Sequence, residues 1–170
     1  MQTYKRRKIQ SICNDLWDKH SLIPGFSFDD LLNNLKITYK EEEFEDDSIS
    51  AILITKGMKS IITANASHHI NRKRFSIGHE LGHLLLGHKK ELDIKQKERI
   101  FYRNEISAQG IDTDEIEANY FSACLLMPED KIKSCIDMDI SFDENIYNLS
   151  KLFQVSQAAM TLRLNNLGYC

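Results

Sequence analysis

The stretch Ser76-Ile77-Gly78-His79-Glu80-Leu81-Gly82-His83-Leu84-Leu85-Leu86-Gly87 decides the reading of this chain. Its pattern is helical from about Ser67 to Leu86, and Gly87 is placed to stop the helix. His79 and His83 lie four residues apart, so on an α-helix they share a side, offset by roughly 40° and one turn of rise. Two imidazoles so placed can bind one zinc ion from a single helical face. Glu80 follows the first histidine, where a carboxylate can take a proton from water that zinc acidifies from about 15.7 toward ~7. Ile77, Leu81, Leu84 and Leu85 fall roughly opposite the histidines, while Phe75 and Leu86 lie nearer to them. A helix apolar on both sides of a histidine pair is expected to be central and buried, and buried imidazoles need partners. Gly78 and Gly82 each cost about 1 kcal/mol relative to Ala inside a helix, so they are expected to permit close approach of another element.

A His-Glu-x-x-His pair also arises by chance, as two structural histidines beside an unrelated glutamate. A second segment argues against that. Asp114-Glu115-Ile116-Glu117-Ala118-Asn119-Tyr120-Phe121 opens a helix of about 113–127 that becomes strongly apolar and ends at Pro128. Glu117 shares a face with Tyr120, Phe121 and Cys124, where a carboxylate is costly unless paired or coordinated. Glu117 is therefore the expected third ligand, with Asp114 one turn earlier as the fallback and Glu115 turned elsewhere. Two histidines and one glutamate leave a coordination position open, as in catalytic rather than structural sites. His88 is out of step with the metzincin spacing and reads as a surface or supporting residue. His68 and His69 are not expected to ligate.

Around these two helices the chain reads as α+β, mainly helical. A helix at 4–19 has Ile9, Ile12, Cys13 and Leu16 on its buried face, and Pro24-Gly25 turns the chain after it. A short helix follows from Phe28 to Leu35, with Ser27 available as its cap. Strands at 37–41, 50–55 and 60–64 suggest a small antiparallel sheet packed near the His79–His83 helix. The acidic stretch Glu41 to Asp47 reads as a solvated loop, and residues 89–112 as polar and irregular with a short strand at 99–103. Pro128 can start a helix reaching Cys135. Two more helices, about 143–153 and 156–167, form a tail with helix-turn-helix spacing. The expected division is a domain carrying the metal-binding pattern at 1–135 and a helical tail at 136–170 packed on the same unit.

Composition narrows the function classes. With 42% hydrophobic and 28% charged residues the chain can build a core. A net charge of −3 gives no general attraction to nucleic acid. The tail's second helix offers only Arg163 as a cation, so DNA binding is not expected. The basic run Lys5-Arg6-Arg7-Lys8 reads as a solvated helix face. No apolar run reaches the ~18 residues of a membrane span, and no apolar segment follows the basic start as a signal peptide would require. Four cysteines without a CxxC pair suit free thiols in a reducing, cytoplasmic setting.

Taken together, Arg74-Phe75, the His79–His88 segment, and Glu117-Ala118-Asn119-Tyr120-Phe121 running into Leu125-Leu126-Met127-Pro128 resemble the ImmA/IrrE family of metallopeptidases. The resemblance covers residues 60–135 well and extends plausibly to the tail. Ser122 stands where the family commonly has Ala. The resemblance implies a gluzincin-like zinc site with His79, His83 and Glu117 as ligands and Glu80 as general base. It also implies a substrate: a helix-turn-helix transcriptional repressor, cleaved to relieve repression of a mobile element, prophage or stress regulon. The competing expectation is a non-catalytic protein that sequesters a repressor. A peptidase also needs an oxyanion donor beyond the metal, for which Tyr102, Arg103 and Tyr120 are the candidates. Arg74 is expected to be structural or to partner a carboxylate.

Overall fold

The computed structural model describes residues 2–88 and 113–169; the expected strand at 99–103 lies outside them, as do Tyr102 and Arg103. The described elements are α1 (Thr3–Lys19), α2 (Phe28–Asn34), β1 (Thr38–Glu42), β2 (Ala51–Lys56), β3 (Lys59–Asn65) and α3 (Ile70–Leu86). After the undescribed stretch come α4 (Thr113–Leu126), α5 (Glu129–Cys135), α6 (Phe142–Phe153) and α7 (Gln157–Leu167). Helix starts follow local chemistry. Ser27 Oγ accepts from Asp30 N at the start of α2, Ser141 and Glu144 form a capping box on α6, and Ser156 caps α7. The chain is α+β and mainly helical, as expected.

The small sheet is mixed rather than wholly antiparallel. β2 and β3 form an antiparallel hairpin whose turn holds Gly57 at φ +60°. β3, however, inserts between β2 and β1 and runs parallel to β1, giving the order β1-β3-β2. A parallel neighbour needs a connection that crosses the sheet's end, and residues 43–50 provide it. That connection is pinned: Asn65 Nδ2 donates to the Ile49 carbonyl, and Arg72 of α3 reaches Ser50 Oγ and the Ser48 carbonyl. Leu53, Ile62 and Ala64 are buried in the sheet, which packs against α3.

Among the described helices α3 packs most extensively against α4, and the two glycines help explain it. A Cβ added at Gly82 would lie 3.1 Å from Phe121 and 3.2 Å from the Ala118 Cα, and one added at Gly78 would lie 2.6 Å from Ser122 Oγ. That hydroxyl donates to the Phe75 carbonyl at 2.8 Å, so it cannot yield freely. Gly78→Ala is therefore expected to destabilise the protein by about 1–3 kcal/mol through overpacking, against a gain of about 1 kcal/mol in helix propensity. Thermal unfolding should show a lowered Tm that Ser122→Ala restores in the double variant, since the obstructing oxygen is then gone.

α1 lies across α4 on its other side: Trp17 Nε1 donates to the Leu125 carbonyl at 2.8 Å, and Cys13 Sγ to that of Phe121 at 3.6 Å. Arg74 is structural. It is buried, donates to the Phe26 carbonyl at 2.6 Å and lies over the Phe26 and Phe28 rings. Burial without a carboxylate pulls its pKa down to about 10. Ile146, Leu149, Phe153, Met160 and Leu164 of the last two helices belong to the same apolar cluster as α1 through α4. Arg163, the cation that α7 was expected to offer, is buried and donates to the Met127 carbonyl. Cys13, Cys124 and Cys135 are free thiols.

Candidate metal centre

α3 and α4 bring together three potential ligands. His79 Nε2 and His83 Nε2 are 2.9 Å apart, and the two oxygens of Glu115 lie 3.2 Å from the first and 3.3 Å from the second. These atoms form the one His/Cys/Asp/Glu group among the described residues arranged to hold a metal ion. The site is recessed but open on one side: the His83 side chain is 2% exposed, that of His79 14% and that of Glu115 27%.

The carboxylate grouped with the two histidines is Glu115, and the expected Glu117 is not in that group. The reason is helical geometry. Positions 115 and 117 are separated by about 200° around the axis, so only one of them can face α3. Position 115 does, and position 119, one turn on, does likewise. Asn119 Oδ1 meets His79 Nδ1 at 2.9 Å. Glu117 is buried, as its apolar neighbours imply, and is satisfied by protein partners instead. Lys5 Nζ donates to its Oε1 at 2.5 Å, and His88 Nε2 lies 3.4 Å from its Oε2. Burial pushes its carboxyl upward, but Lys5 and then His88 outweigh that, and its pKa sits below the ordinary value. The fallback, Asp114, has its Oδ1 3.7 Å from His88 Nε2.

The donor set fits a divalent cation. In a tetrahedral site with bonds of about 2.0–2.2 Å, ligand atoms are separated by about 3.3–3.6 Å, near the two longer sides of the triangle found here. The hydrogen bonds point the same way. Asn119 Oδ1 accepts, so His79 carries a proton on Nδ1, and the neutral ring that a metal requires then presents a bare Nε2. Lone pairs of imidazole nitrogens and a carboxylate facing one another at such distances repel unless a cation or proton lies among them. Histidine and carboxylate together suit zinc and several other divalent ions.

Glu80 is buried on α3 at 5% exposure, directly after the first histidine. Tyr120 is not among the groups at the histidines. Its ring lies under the Arg6 guanidinium at 5.7 Å, and burial, followed by Cys124, pushes its phenol up to about 12. The basic run at the start of α1 is solvent-exposed, as expected, and from that exposed face Lys5 reaches Glu117 and Arg6 lies over Tyr120. His68 is held by the Asp47 carbonyl and Asn65, and His69 Nδ1 accepts from Asn71 N at the start of α3. Asn119 and Lys5 were not legible as site residues, although the spacing from Glu115 to Asn119 mirrors that from His79 to His83.

Among solved structures, a Mycobacterium tuberculosis transcriptional regulator has the same fold, with a TM-score of 0.62 at 14% identity over 92% of this chain. The chain spans 46% of that regulator's length. No curated protein matches the sequence. No described helix is long and apolar enough to cross a membrane. The model of the IrrE N-terminal-like domain matches residues 32–165, covering α3, α4 and both ends of the site. By that match the chain belongs to the Peptidase M78 family, a family of metallopeptidase-like proteins.

Proposed function

We propose that this protein is a zinc-dependent endopeptidase in which His79, His83 and Glu115 hold the metal and Glu80 is the general base. The observation that carries the reading is the convergence of three ligand atoms within one small triangle beside an intact Glu80. When bound, a divalent cation supplies Lewis acidity, which acidifies water and polarises a scissile carbonyl. The chain's own residues do the rest. Asn119 fixes the His79 ring by accepting its Nδ1 proton. Glu80 takes a proton from the attacking water and later delivers it to the departing amine. The recess around His83 limits water around the reacting groups, which strengthens every electrostatic contact made there.

The substrate we propose is a helix-turn-helix transcriptional repressor, whose cut would relieve repression of a mobile element, prophage or stress regulon. Family membership supports a peptidase, and a fold shared with a transcriptional regulator fits a place in gene control. Incubating the zinc-loaded protein with helix-turn-helix repressors from the same genome tests this, with the products read by intact mass. A discrete cut that chelation abolishes and added Zn2+ restores is the expected result. An uncut repressor that copurifies with the protein would replace the enzyme by a sequestering module.

A further inference from the structure

The metal site has support behind His83 that no ligand assignment uses. Gly87 adopts the left-handed conformation at φ +75° that closes α3, and the turn folds His88 back over the helix end, its N–H bonding to the His83 carbonyl at 3.0 Å. The His88 ring then stands edge-on to that of His83, with centroids 5.1 Å apart. His88 Nδ1 is 3.1 Å from His83 Nδ1, and on the other side His88 Nε2 faces Glu117 Oε2 at 3.4 Å and Asp114 Oδ1 at 3.7 Å. Lys5 completes the row at Glu117 Oε1.

Resting on the metal reading above, we propose that His88, backed by Glu117 and Lys5, is a positioning residue that sets the tautomer and orientation of His83. For a neutral His88, the contacts among these side chains fit one arrangement. Lys5 only donates, so Glu117 accepts. A carboxylate accepting at both oxygens takes the proton of His88 Nε2, which leaves His88 Nδ1 with a lone pair. That lone pair accepts from His83 Nδ1–H, and His83 must then present a bare Nε2 toward His79 and Glu115. The side chains of His83, His88 and Glu117 are 2%, 8% and 12% exposed, so water competes poorly for these bonds. Such partners fix the ring of a ligating histidine and raise its basicity. His79 is served by Asn119 and His83 by His88, so each histidine has its own acceptor.

The test is metal affinity rather than turnover. Full-length protein is titrated with Zn2+ against a chromophoric chelator, and the Co2+ form is examined by its visible absorption. His88→Ala is expected to weaken Zn2+ binding about 10–100-fold, as loss of such a partner does elsewhere, and to change the Co2+ bands. His88→Gln, whose amide can both accept from His83 and donate to Glu117, should recover most of that loss. Folded fraction measured by circular dichroism on each apo variant separates this effect from simple unfolding. If wild type binds Zn2+ and a folded His88→Ala binds it within twofold with an unchanged Co2+ spectrum, the positioning role is wrong and the metal reading stands. If wild type itself takes up neither ion, both fail.

Discussion

Glu115→Ala is expected to strip the metal from this protein, with Zn2+ affinity falling more than about 100-fold, beyond the 10–100-fold that loss of a supporting partner costs. The argument is geometric. Glu115 reaches both histidine nitrogens at 3.2 and 3.3 Å, so its removal leaves two neutral imidazoles with no anionic ligand to offset the charge of the cation. Glu117→Ala is the informative companion. It takes away the acceptor behind His88 but leaves the triangle whole, so its effect should stay within 100-fold. Metal analysis of the two purified variants separates the assignments in one experiment. Metal retained by Glu115→Ala and lost by Glu117→Ala would reverse them and return the third-ligand role to Glu117. In both variants peptidase activity should follow metal content, because the proposed chemistry depends on the bound ion.

The confusion between positions 115 and 117 shows where sequence reasoning stops. The α3 helix was legible almost residue by residue, because His79 and His83 at one-turn spacing and two glycines in an apolar run leave few alternatives. Gly78 and Gly82 announced a close neighbour, and Ser122, Ala118 and Phe121 of α4 supply it. The cost of burying Glu117 was also read correctly, but Lys5 and His88 meet that cost, while Glu115 is the carboxylate grouped with the histidines. A buried carboxylate needs a partner, and its identity depends on where another helix docks. Lys5 is 112 positions away in the chain, and nothing in the run Lys5-Arg6-Arg7-Lys8 says that its first member will meet α4. The small sheet was expected, but the parallel pairing of β1 was missed for a related reason. Strand pattern marks 37–41 and 60–64 as extended, but not that the later one slides between its predecessors. The local signals, by contrast, held: Ser27 caps α2, Gly87 stops α3 and Pro128 ends the α4 segment, each set by a few neighbouring atoms.

Glu80→Gln is expected to lower kcat for repressor cleavage about 10²–10⁴-fold, the range for a positioned general base, while leaving metal content and KM near wild type. A hundredfold loss corresponds to about 2.7 kcal/mol of transition-state stabilisation, far more than the substitution should cost the fold. Gln matches Glu in size, and the site's packing against α4 runs through Gly82 and Phe121 on a neighbouring part of the helix. Glu80 is not one of the three grouped ligand residues, so its amide should not release the ion. An amide cannot accept the proton of the attacking water, however, and the deficit should appear in kcat rather than in binding. This variant also separates an enzyme from a sequestering module, because repressor capture by the two forms should be equal whereas cleavage should not. Equal cleavage by both forms would remove Glu80 from the mechanism, and the proton would then have to leave through another group near the metal.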